Sequence, residues 1–372
     1  MKRVLRPPFL SVPTWQSRLA NIVDTLALTM SKEAPKLLRP HLLRRAVKRS
    51  PTIRNLYFRA TRLHHRARLR GAWLRDGLQG GEQYGGVNPE NMIWIFCTAR
   101  SGSTWLRSML HELVEGGVWE EPKVGRLFGE FYSRAKQTQL GRVNYVLGDP
   151  TREAWTSALR NFVLHTAWAS HPSITPERHL IVKEPGGAVG APLLMDALPE
   201  SRMVLLVRDP RDFVASVLDA VKNDGWMYEG LDEWARRDLS SERNILRYLR
   251  VLSKQYVRQM SNGKRAFDSH EGRKVLLEYD DLRADTLSTM RHLCVALAIP
   301  IDERRLARVV EKHSWEKISE NEKGAGKFYR KATSGGWRED LTPEQARIVE
   351  DITAPLLEQF SWSGSLERAS LK

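Results

Sequence analysis

The stretch MIWIFCTARSGST, Met92–Thr104, decides the fold. Its first six residues form an apolar run long enough for a buried strand, and a helical pattern follows it over Trp105–Glu115. A loop of small residues between a strand and a helix gathers backbone N–H groups at the positive end of the helix dipole, which binds phosphate. The side chains that add a charge or hydroxyl donors to this loop are Arg100, Ser101, Ser103 and Thr104.

The loop departs from the G-x-x-x-x-G-K-[ST] pattern of loops that bind nucleoside triphosphates. An ordinary polar turn between a strand and a helix is therefore the alternative to a phosphate site. A later segment, Lys323–Lys327, also resembles a phosphate loop, but no strand precedes it and no Ser or Thr follows it. We interpret it as part of the segment that leads to the C-terminal motif described below.

Short apolar runs recur downstream, at residues 180–183, 203–207 and 274–278. Strands separated by long helices imply a mostly parallel sheet covered on both faces. The predicted fold class is α/β, a three-layer P-loop-like fold with a mostly parallel central sheet and a basic helical N-terminal extension. The helical patterns between the apolar runs cover Ala191–Leu198, Phe213–Lys222, Leu231–Met260 and Leu282–Ala298.

The positive charge of the chain is concentrated at its N-terminus. Residues 1–76 contain 18 Lys and Arg against three acidic residues, whereas the remaining 41 basic and 41 acidic residues cancel. A nucleic acid is therefore not expected as the partner of the whole chain. We predict a basic helical extension and linker over residues 1–90 and a catalytic domain over residues 91–372.

The basic extension suggests a partner. The Leu- and Arg-rich stretch Lys36–Arg75 has near-helical spacing, and basic amphipathic helices lie on anionic membrane surfaces. Residues 1–76 are thus predicted to contact such a surface; a solvated arm covering the catalytic domain is the alternative. No apolar run is long enough for a transmembrane helix, no export signal is evident, and the chain has only two cysteines. The expected location is cytoplasmic, peripheral at the membrane if the arm binds there.

A second chemical motif is MVLLVRDPRDFVAS, Met203–Ser216, where a buried strand ends at Arg208 and a helix carries Ser216 two turns later. An NTPase would need an acidic residue at such a strand end to hold Mg²⁺. A guanidinium instead suits bidentate binding of phosphate, and a serine hydroxyl can donate to the same group. A solvated turn with ion pairs is the alternative.

These two motifs, in this order, resemble those of the sulfotransferases that use 3′-phosphoadenosine 5′-phosphosulfate (PAPS). That family has a T-x-[KR]-S-G-[ST]-T loop after its first strand, and a later strand that ends in Arg with a Ser downstream. A third match is Arg330–Arg338, similar to the family's R-K-G-x-x-G-x-W-K loop, except that Ala332 replaces its first glycine. A fourth, weaker match is Glu278–Leu282, and the resemblance runs from about Asn91 to Trp362.

The resemblance implies roles for residues of this chain. Residues 100–104, including Gly102, would hold the 5′-phosphosulfate, with Arg100 also acting in the transfer. No metal is expected, since the family requires none. The other residues implied to bind the cofactor PAPS are Trp105 and Tyr279 near the nucleotide, Gly335 in the C-terminal loop, and Arg208, Ser216, Arg330 and Lys331 at the 3′-phosphate.

Two glutamates compete for the role of general base. Some branches of the family have an acidic base just after the helix that follows the phosphate loop, a position that fits Glu121, with Glu120 beside it. The rival is Glu184, in a Lys-Glu-Pro sequence similar to the Lys-Asp-Pro of the tyrosylprotein branch. By the same resemblance Lys183 would stabilise the leaving group. Either carboxylate could instead cap a helix or lie on the surface.

The sequence thus predicts a PAPS-dependent sulfotransferase that acts on a hydroxyl, or less favourably an amine, of a small-molecule, glycan or lipid acceptor. Trp226, Trp234 and Trp315 could line the acceptor site, since aromatic side chains suit sugars and lipids. One alternative is a P-loop kinase or NTPase with a degenerate loop. The other is a membrane-docked protein that binds the nucleotide without chemistry. The sequence does not define the oligomeric state.

Overall fold

A computed structural model describes residues 86–114, 116–221, 227, 239 and 241–360 of the chain. All of them belong to the compact unit Tyr84–Lys372. The predicted arm of residues 1–76 and its membrane contact lie outside the described residues, as do Trp226 and Trp234. Within the described part, no helix is both long enough and apolar enough to cross a membrane.

Five parallel strands form the central sheet, in the spatial order β2-β3-β1-β4-β5. The central strands β1 and β4 are buried along their whole length, as expected for continuous apolar runs covered on both faces. The α/β class and the mostly parallel sheet are confirmed. The strands are β1 (Met92–Cys97), β2 (Gly117–Glu120), β3 (Leu180–Pro185), β4 (Arg202–Val207) and β5 (Lys274–Glu278).

Helices connect the strands and continue beyond the last one. The helices between β1 and residue 221 are α1 (Ser103–Val114), α2 (Val124–Ser133), α3 (Gln137–Leu140), α4 (Arg152–Ser170), α5 (Ala191–Ala197) and α6 (Pro210–Val221). Those in the later part of the chain, from residue 242 onward, are α7 (Glu242–Ser269), α8 (Tyr279–Ala284), α9 (Thr286–Ala296), α10 (Glu303–Lys312), α11 (Trp337–Asp340) and α12 (Pro343–Gln359).

The predicted single helix over Leu282–Ala298 is wrong, because the chain breaks at Asp285. That residue has an extended φ of −140° and ends α8. Its carboxylate then accepts a 3.0 Å hydrogen bond from the backbone N–H of Ser288 and caps α9. Asp favours such N-cap positions because its side chain satisfies a free backbone donor of the first turn.

The sheet lies between two helical layers. On one face, Ile93, Ile95 and Val204 pack with apolar side chains of α1, α9 and α10 in a continuous buried core. On the other face α7 packs against β4 so closely that a Cβ added at Gly263 would lie 2.8 Å from Leu205 Cδ1. The predicted three-layer arrangement is therefore confirmed.

The topology brings the ends of three strands together. The chain leaves β1 toward β2 and β3 on one side, then crosses to β4 and β5 on the other. In open α/β sheets this change of direction opens a crevice at the carboxyl ends of the strands, where ligands bind. The loop after β1, the end of β3 and the Arg208 end of β4 all meet at this edge.

Candidate active site

The loop after β1 has a backbone that depends on glycine. Gly102 has a φ of +84°, a region that side-chain-bearing residues rarely adopt. A Cβ at this position would also lie 2.7 Å from Cδ2 of the Tyr279 ring. The buried Ser101 hydroxyl donates to the backbone oxygen of Thr98 at 2.8 Å, so it stabilises the loop from inside.

Two arginines and a serine converge beside this loop. Arg208 Nη1 donates to the backbone oxygen of Arg100 at 2.6 Å, and Arg100 Nε donates to Ser216 Oγ at 3.0 Å. Burial, and next the positive charge of Arg208, lower the pKa of Arg100 to about 10. The Arg208 guanidinium lies 4.3 Å above the ring of Tyr279, and its buried Nε has no hydrogen-bond partner within the described residues. The geometry therefore concentrates positive charge at the carboxyl end of β4.

The C-terminal motif closes over the arginines. Arg100 Nη2 donates to the backbone oxygen of Phe328 at 2.9 Å. The carboxylate of Asp212, at the start of α6, accepts from the backbone N–H groups of Gly335 at 2.7 Å and Trp337 at 2.9 Å. Burial raises the pKa of Asp212, and the two N–H groups partly offset that effect. Asp212 thus attaches the C-terminal loop to the helix that carries Ser216.

Within the motif, the two basic residues differ in their partners. Arg330 lies 3.4 Å from an oxygen of Asp219 and 2.5 Å from one of Asp340. Lys331 is more exposed and pairs with Glu339 at 3.0 Å and with Asp340 at 2.9 Å. Both side chains are therefore held by carboxylates of the loop's own surroundings.

Ala332, which replaces the family's glycine, has a φ of +50°. The chain therefore adopts the left-handed conformation that glycine would adopt without strain. The backbone oxygen of Ala332 accepts a 2.9 Å hydrogen bond from Arg283 Nε, which stabilises this turn.

A buried lysine joins the phosphate loop to two glutamates. Lys183, only 3% exposed, donates to Thr104 Oγ1 at 3.2 Å. Its ammonium lies 2.6 Å from an oxygen of Glu120 and 3.1 Å from one of Glu121. Glu120 also pairs with Arg107 at 3.2 Å, whereas among the described residues Glu121 pairs with Lys183 alone. A carboxylate and an ammonium therefore stand at the end of β3, beside the loop after β1.

Glu184, the next residue of β3, has a different position. It is 1% exposed, and its Oε1 accepts a 2.8 Å hydrogen bond from the backbone N–H of Val124, at the start of α2. Burial raises the pKa of Glu184 to about 7, against the opposing effect of backbone N–H groups at residues 123–125. A Cβ added at Gly187 would lie 2.2 Å from its Oε2. Glu184 therefore caps α2.

A cavity of about 570 Å³ connects the arginine cluster with the glutamate pair. Ser101, Glu184 and Gly335 are not part of its wall. Ser101 and Glu184 are buried in local hydrogen bonds, and the Gly335 N–H donates to Asp212. The predicted site residues that do line the cavity are Arg100, Gly102, Ser103, Thr104, Trp105, Glu121, Lys183, Arg208, Ser216, Tyr279, Arg330 and Lys331.

Other residues that line the cavity were not predicted from the sequence. Asp212 lies inside the motif Met203–Ser216, and Arg283 directly follows the match at Glu278–Leu282, but their contacts could not be predicted from sequence. Lys123 and Arg126 follow Glu121 closely in the chain and also line the cavity. Trp315 lies in the wall as well, and Trp105 Nε1 donates to the backbone oxygen of His313 at 2.7 Å. Within the described ranges, no group of three or more His, Cys, Asp and Glu could hold a metal ion.

Solved structures with a similar course of the chain include mouse sulfotransferase SULT7A1 complexed with PAP, at 14% identity and a TM-score of 0.48, over 77% of this chain and 91% of that one. Sulfotransferase STF9 from Mycobacterium avium has 15% identity and a TM-score of 0.46, over 91% of this chain and 96% of that one. No protein of curated function matches the sequence.

The sequence itself matches a family profile. The profile, described as the sulfotransferase domain, covers residues 90–361. These residues include the phosphate loop, the arginine cluster, the Lys183–Glu121 pair and the C-terminal motif. The chain therefore belongs to the sulfotransferase domain family.

Proposed function

We propose that the protein transfers a sulfuryl group from PAPS to a hydroxyl of its acceptor. The observation that carries the proposal is the convergence of Arg100, Arg208 and Ser216 from two different strand–helix connections. Two neighbouring guanidinium groups repel each other, and this repulsion is the second cause, after burial, of the lowered pKa of Arg100. A bound phosphate would offset the repulsion and accept charge-assisted hydrogen bonds from both groups.

The residues present fit the cofactor. The unpartnered buried Nε of Arg208 offers a donor that a phosphate oxygen would satisfy. Gly102 lets the backbone of the loop come close to a ligand because it has no side chain. We assign the 5′-phosphosulfate to residues 100–104 and the 3′-phosphate to Arg208, Ser216, Arg330 and Lys331, with Trp105 and Tyr279 beside the nucleotide.

Glu121 accepts the proton of the acceptor hydroxyl while the hydroxyl oxygen forms its bond to sulfur. PAPS, when bound, supplies the sulfuryl group, and the bond between sulfur and its phosphate oxygen breaks as the new bond forms. Lys183 would donate a hydrogen bond to the leaving phosphate, where negative charge develops, and its own hydrogen bond to Thr104 Oγ1 fixes the ammonium for that role. Preorganised charge of this kind accounts for most of the rate enhancement of group transfer.

In this proposal Glu184 is a positioning residue and does not contact the substrate. Its carboxyl anchors the start of α2 and therefore the short segment that carries Glu121. Glu120 neutralises part of the charge of Lys183 and leaves Glu121 as the carboxylate for proton transfer. The amine acceptor and a location at the membrane stay predictions, since no described residue bears on them.

The test is nucleotide binding by calorimetry. We expect PAP, the desulfated cofactor, to bind much more tightly than AMP, which lacks the 3′-phosphate, in the presence of EDTA. Arg208→Ala should weaken PAP binding by about 10- to 100-fold, the effect of losing a charge-assisted hydrogen bond, while leaving AMP binding within about twofold. Arg304→Ala, on the exposed face of α10, is the matched control.

The same experiment separates the alternatives. Tighter binding of Mg-ATP than of PAP would favour a kinase or NTPase and contradict the proposal. Binding of PAP without release of PAP from PAPS, in the presence of any acceptor supplied, would favour a nucleotide-binding protein without chemistry.

A further inference from the structure

The segment that carries the candidate base also defines one wall of the cavity. Glu121 and Lys123 have φ values of +49° and +64°, so two residues with side chains adopt the left-handed conformation within three positions. Such strain persists only where the surroundings hold it, and it is concentrated at functional sites. Here the buried Glu184 holds the backbone at the start of α2. The direction in which α2 leaves the cavity is therefore set by the site itself.

Two positive charges stand at this wall. Lys123 and Arg126 are exposed and line the cavity. Within the described part of the chain, neither has an ion-pair partner, in contrast to Arg330 and Lys331 at the other wall. Cations that follow the base by two and five residues, and that no carboxylate of the described residues neutralises, suit an anionic group on the molecule that the base deprotonates.

An apolar stripe continues from these charges. Leu127 and Phe131 are four residues apart and lie on one face of α2. The backbone N–H of Leu127 donates to the backbone oxygen of Lys123 at 2.9 Å, so the first of these side chains comes one turn after that cation. The side chains of Leu127 and Phe131 are 58% and 53% exposed, so the helix presents two neighbouring large apolar side chains to solvent. At 1.5 Å per residue the stripe extends about 12 Å away from Lys123.

The stripe widens at its far end. The ring of Tyr145 stacks on that of Phe131 at 6.1 Å. Val143 and Val146, in the same connection between α3 and α4, are 71% and 65% exposed. Arg142 directly precedes Val143, and residues 134–148 contain no acidic residue. The apolar surface of α2 thus continues from Phe131 to Tyr145, in a segment that carries positive and no negative charges.

We infer that the acceptor is an anionic amphiphile: its hydroxyl reaches Glu121, its anionic group contacts Lys123 and Arg126, and its apolar chain lies along Leu127 and Phe131. The inference rests on the proposed function. The occupant follows from continuity, because Leu127 directly follows Arg126 in the chain and is hydrogen-bonded through its backbone to Lys123, and both cations line the cavity. Burying the chain on two large apolar side chains supplies binding free energy, and the cations orient the polar end.

Four soluble probes separate the two features. They are dodecyl β-glucuronide, dodecyl β-glucoside, methyl β-glucuronide and methyl β-glucoside, each used below its micelle concentration with the PAP-loaded protein. The glucuronides carry a carboxylate and the dodecyl compounds carry a chain. We expect dodecyl glucuronide to bind most tightly by calorimetry, and each feature to contribute at least about tenfold in affinity.

Variants assign each feature to its residues. Leu127→Ser and Phe131→Ser should each weaken binding of dodecyl glucuronide about five- to tenfold and leave that of methyl glucuronide unchanged. Arg126→Gln should reduce the preference for glucuronide over glucoside by a similar factor, whatever the chain. Val295→Ser, an exposed apolar residue of α9 at 67% exposure, should have no effect on any probe.

The inference would be overturned if the dodecyl and methyl probes bound with equal affinity. It would also be overturned if Leu127→Ser and Phe131→Ser left the advantage of the dodecyl probes intact. The absence of binding by all four probes while PAP binds normally would overturn it as well. Binding of PAP is measured in the wild-type protein and in every variant. If the proposed function is wrong, the wild-type protein does not bind PAP. Failure of the acceptor inference leaves PAP binding intact.

Discussion

The ammonium of Lys183 lies 3.1 Å from Oε1 of Glu121 and 3.2 Å from Oγ1 of Thr104, so one buried side chain links the candidate base to the phosphate loop. Glu120 contacts the same ammonium more closely, at 2.6 Å. Because a buried lysine is costly without a charged partner, two carboxylates at this point make the position of Lys183 robust to the loss of either one. The two glutamates can therefore be tested separately.

Glu121→Gln removes the proposed proton acceptor and keeps the shape of the side chain. We expect kcat for release of PAP from PAPS, with dodecyl glucuronide as acceptor, to fall about 10²- to 10⁴-fold, the usual contribution of a general base. Binding of PAP should change less than about twofold. Glu120→Gln is the control and should cost less than about tenfold. Equal losses in the two variants, or a loss below about tenfold in Glu121→Gln, would contradict the assignment.

Gly102→Ala tests the phosphate loop. The new Cβ would lie 2.7 Å from the Tyr279 ring, in a backbone conformation that alanine disfavours. We expect PAP binding to weaken at least about tenfold and the free energy of unfolding to fall by about 1–3 kcal/mol. Gly141→Ala, where the nearest atom would lie 3.8 Å away, should leave both quantities unchanged. PAP binding at normal affinity in Gly102→Ala would show that the loop does not approach the ligand closely.

Glu184→Gln tests the buried carboxyl at the start of α2. Its pKa is raised to about 7 by burial, so the folded protein keeps a proton that the unfolded chain loses near pH 4.5. The contribution of Glu184 to stability is therefore complete below about pH 4.5 and is lost as pH rises through about 7. The shift corresponds to about 3 kcal/mol.

Urea unfolding at a series of pH values measures this contribution. The difference in unfolding free energy between the wild-type protein and Glu184→Gln should change by about 3 kcal/mol between pH 4.5 and 8, in favour of the variant at high pH. Asp196→Asn, an exposed carboxylate paired with Arg152, should show no comparable change over this range. A difference that does not vary with pH would refute the raised pKa.

Ala332→Gly tests the strained turn of the C-terminal motif. At a φ of +50°, alanine has a conformational strain of about 1–2 kcal/mol that glycine avoids. Glycine makes the unfolded chain more flexible, which destabilises the fold by a smaller amount. The variant should be at least as stable as the wild-type protein and should bind PAP normally. Ala307→Gly, in the exposed middle of α10, should instead cost about 1 kcal/mol in urea unfolding. Equal destabilisation of the two variants would show that Ala332 is not strained.

Much of the fold followed from the sequence, because four of the five strands are apolar runs bounded by turn residues. The strand β2 did not, since Gly117–Glu120 is a short edge strand with no buried residue in its pattern. Its place in the sheet depends on pairing with β3, which no local pattern reveals. The break at Asp285 was missed for a similar reason, because the apolar spacing continues across it.

In the site, the sequence identified the residues that belong to compact motifs, such as Arg100, Arg208 and Ser216. The sequence left Glu121 and Glu184 as alternative candidates for the general base, although the alternation of side chains along a strand could have distinguished them. Neighbouring residues of a strand face opposite sides, so Lys183 and Glu184 could not both reach one cavity. The charges of Lys123 and Arg126 carried no signal, because only the three-dimensional course of α2 shows that they line the cavity.

The dipeptide Lys183–Glu184 has a consequence for how relatives of this protein can diverge. An insertion or deletion of one residue in β3 would exchange the two side chains between the cavity and the start of α2, so natural variation in the length of this strand should be rare. The outer face of α2 carries no such restriction. New acceptors can therefore arise through changes at Leu127 and Phe131 while the donor half of the enzyme is inherited intact.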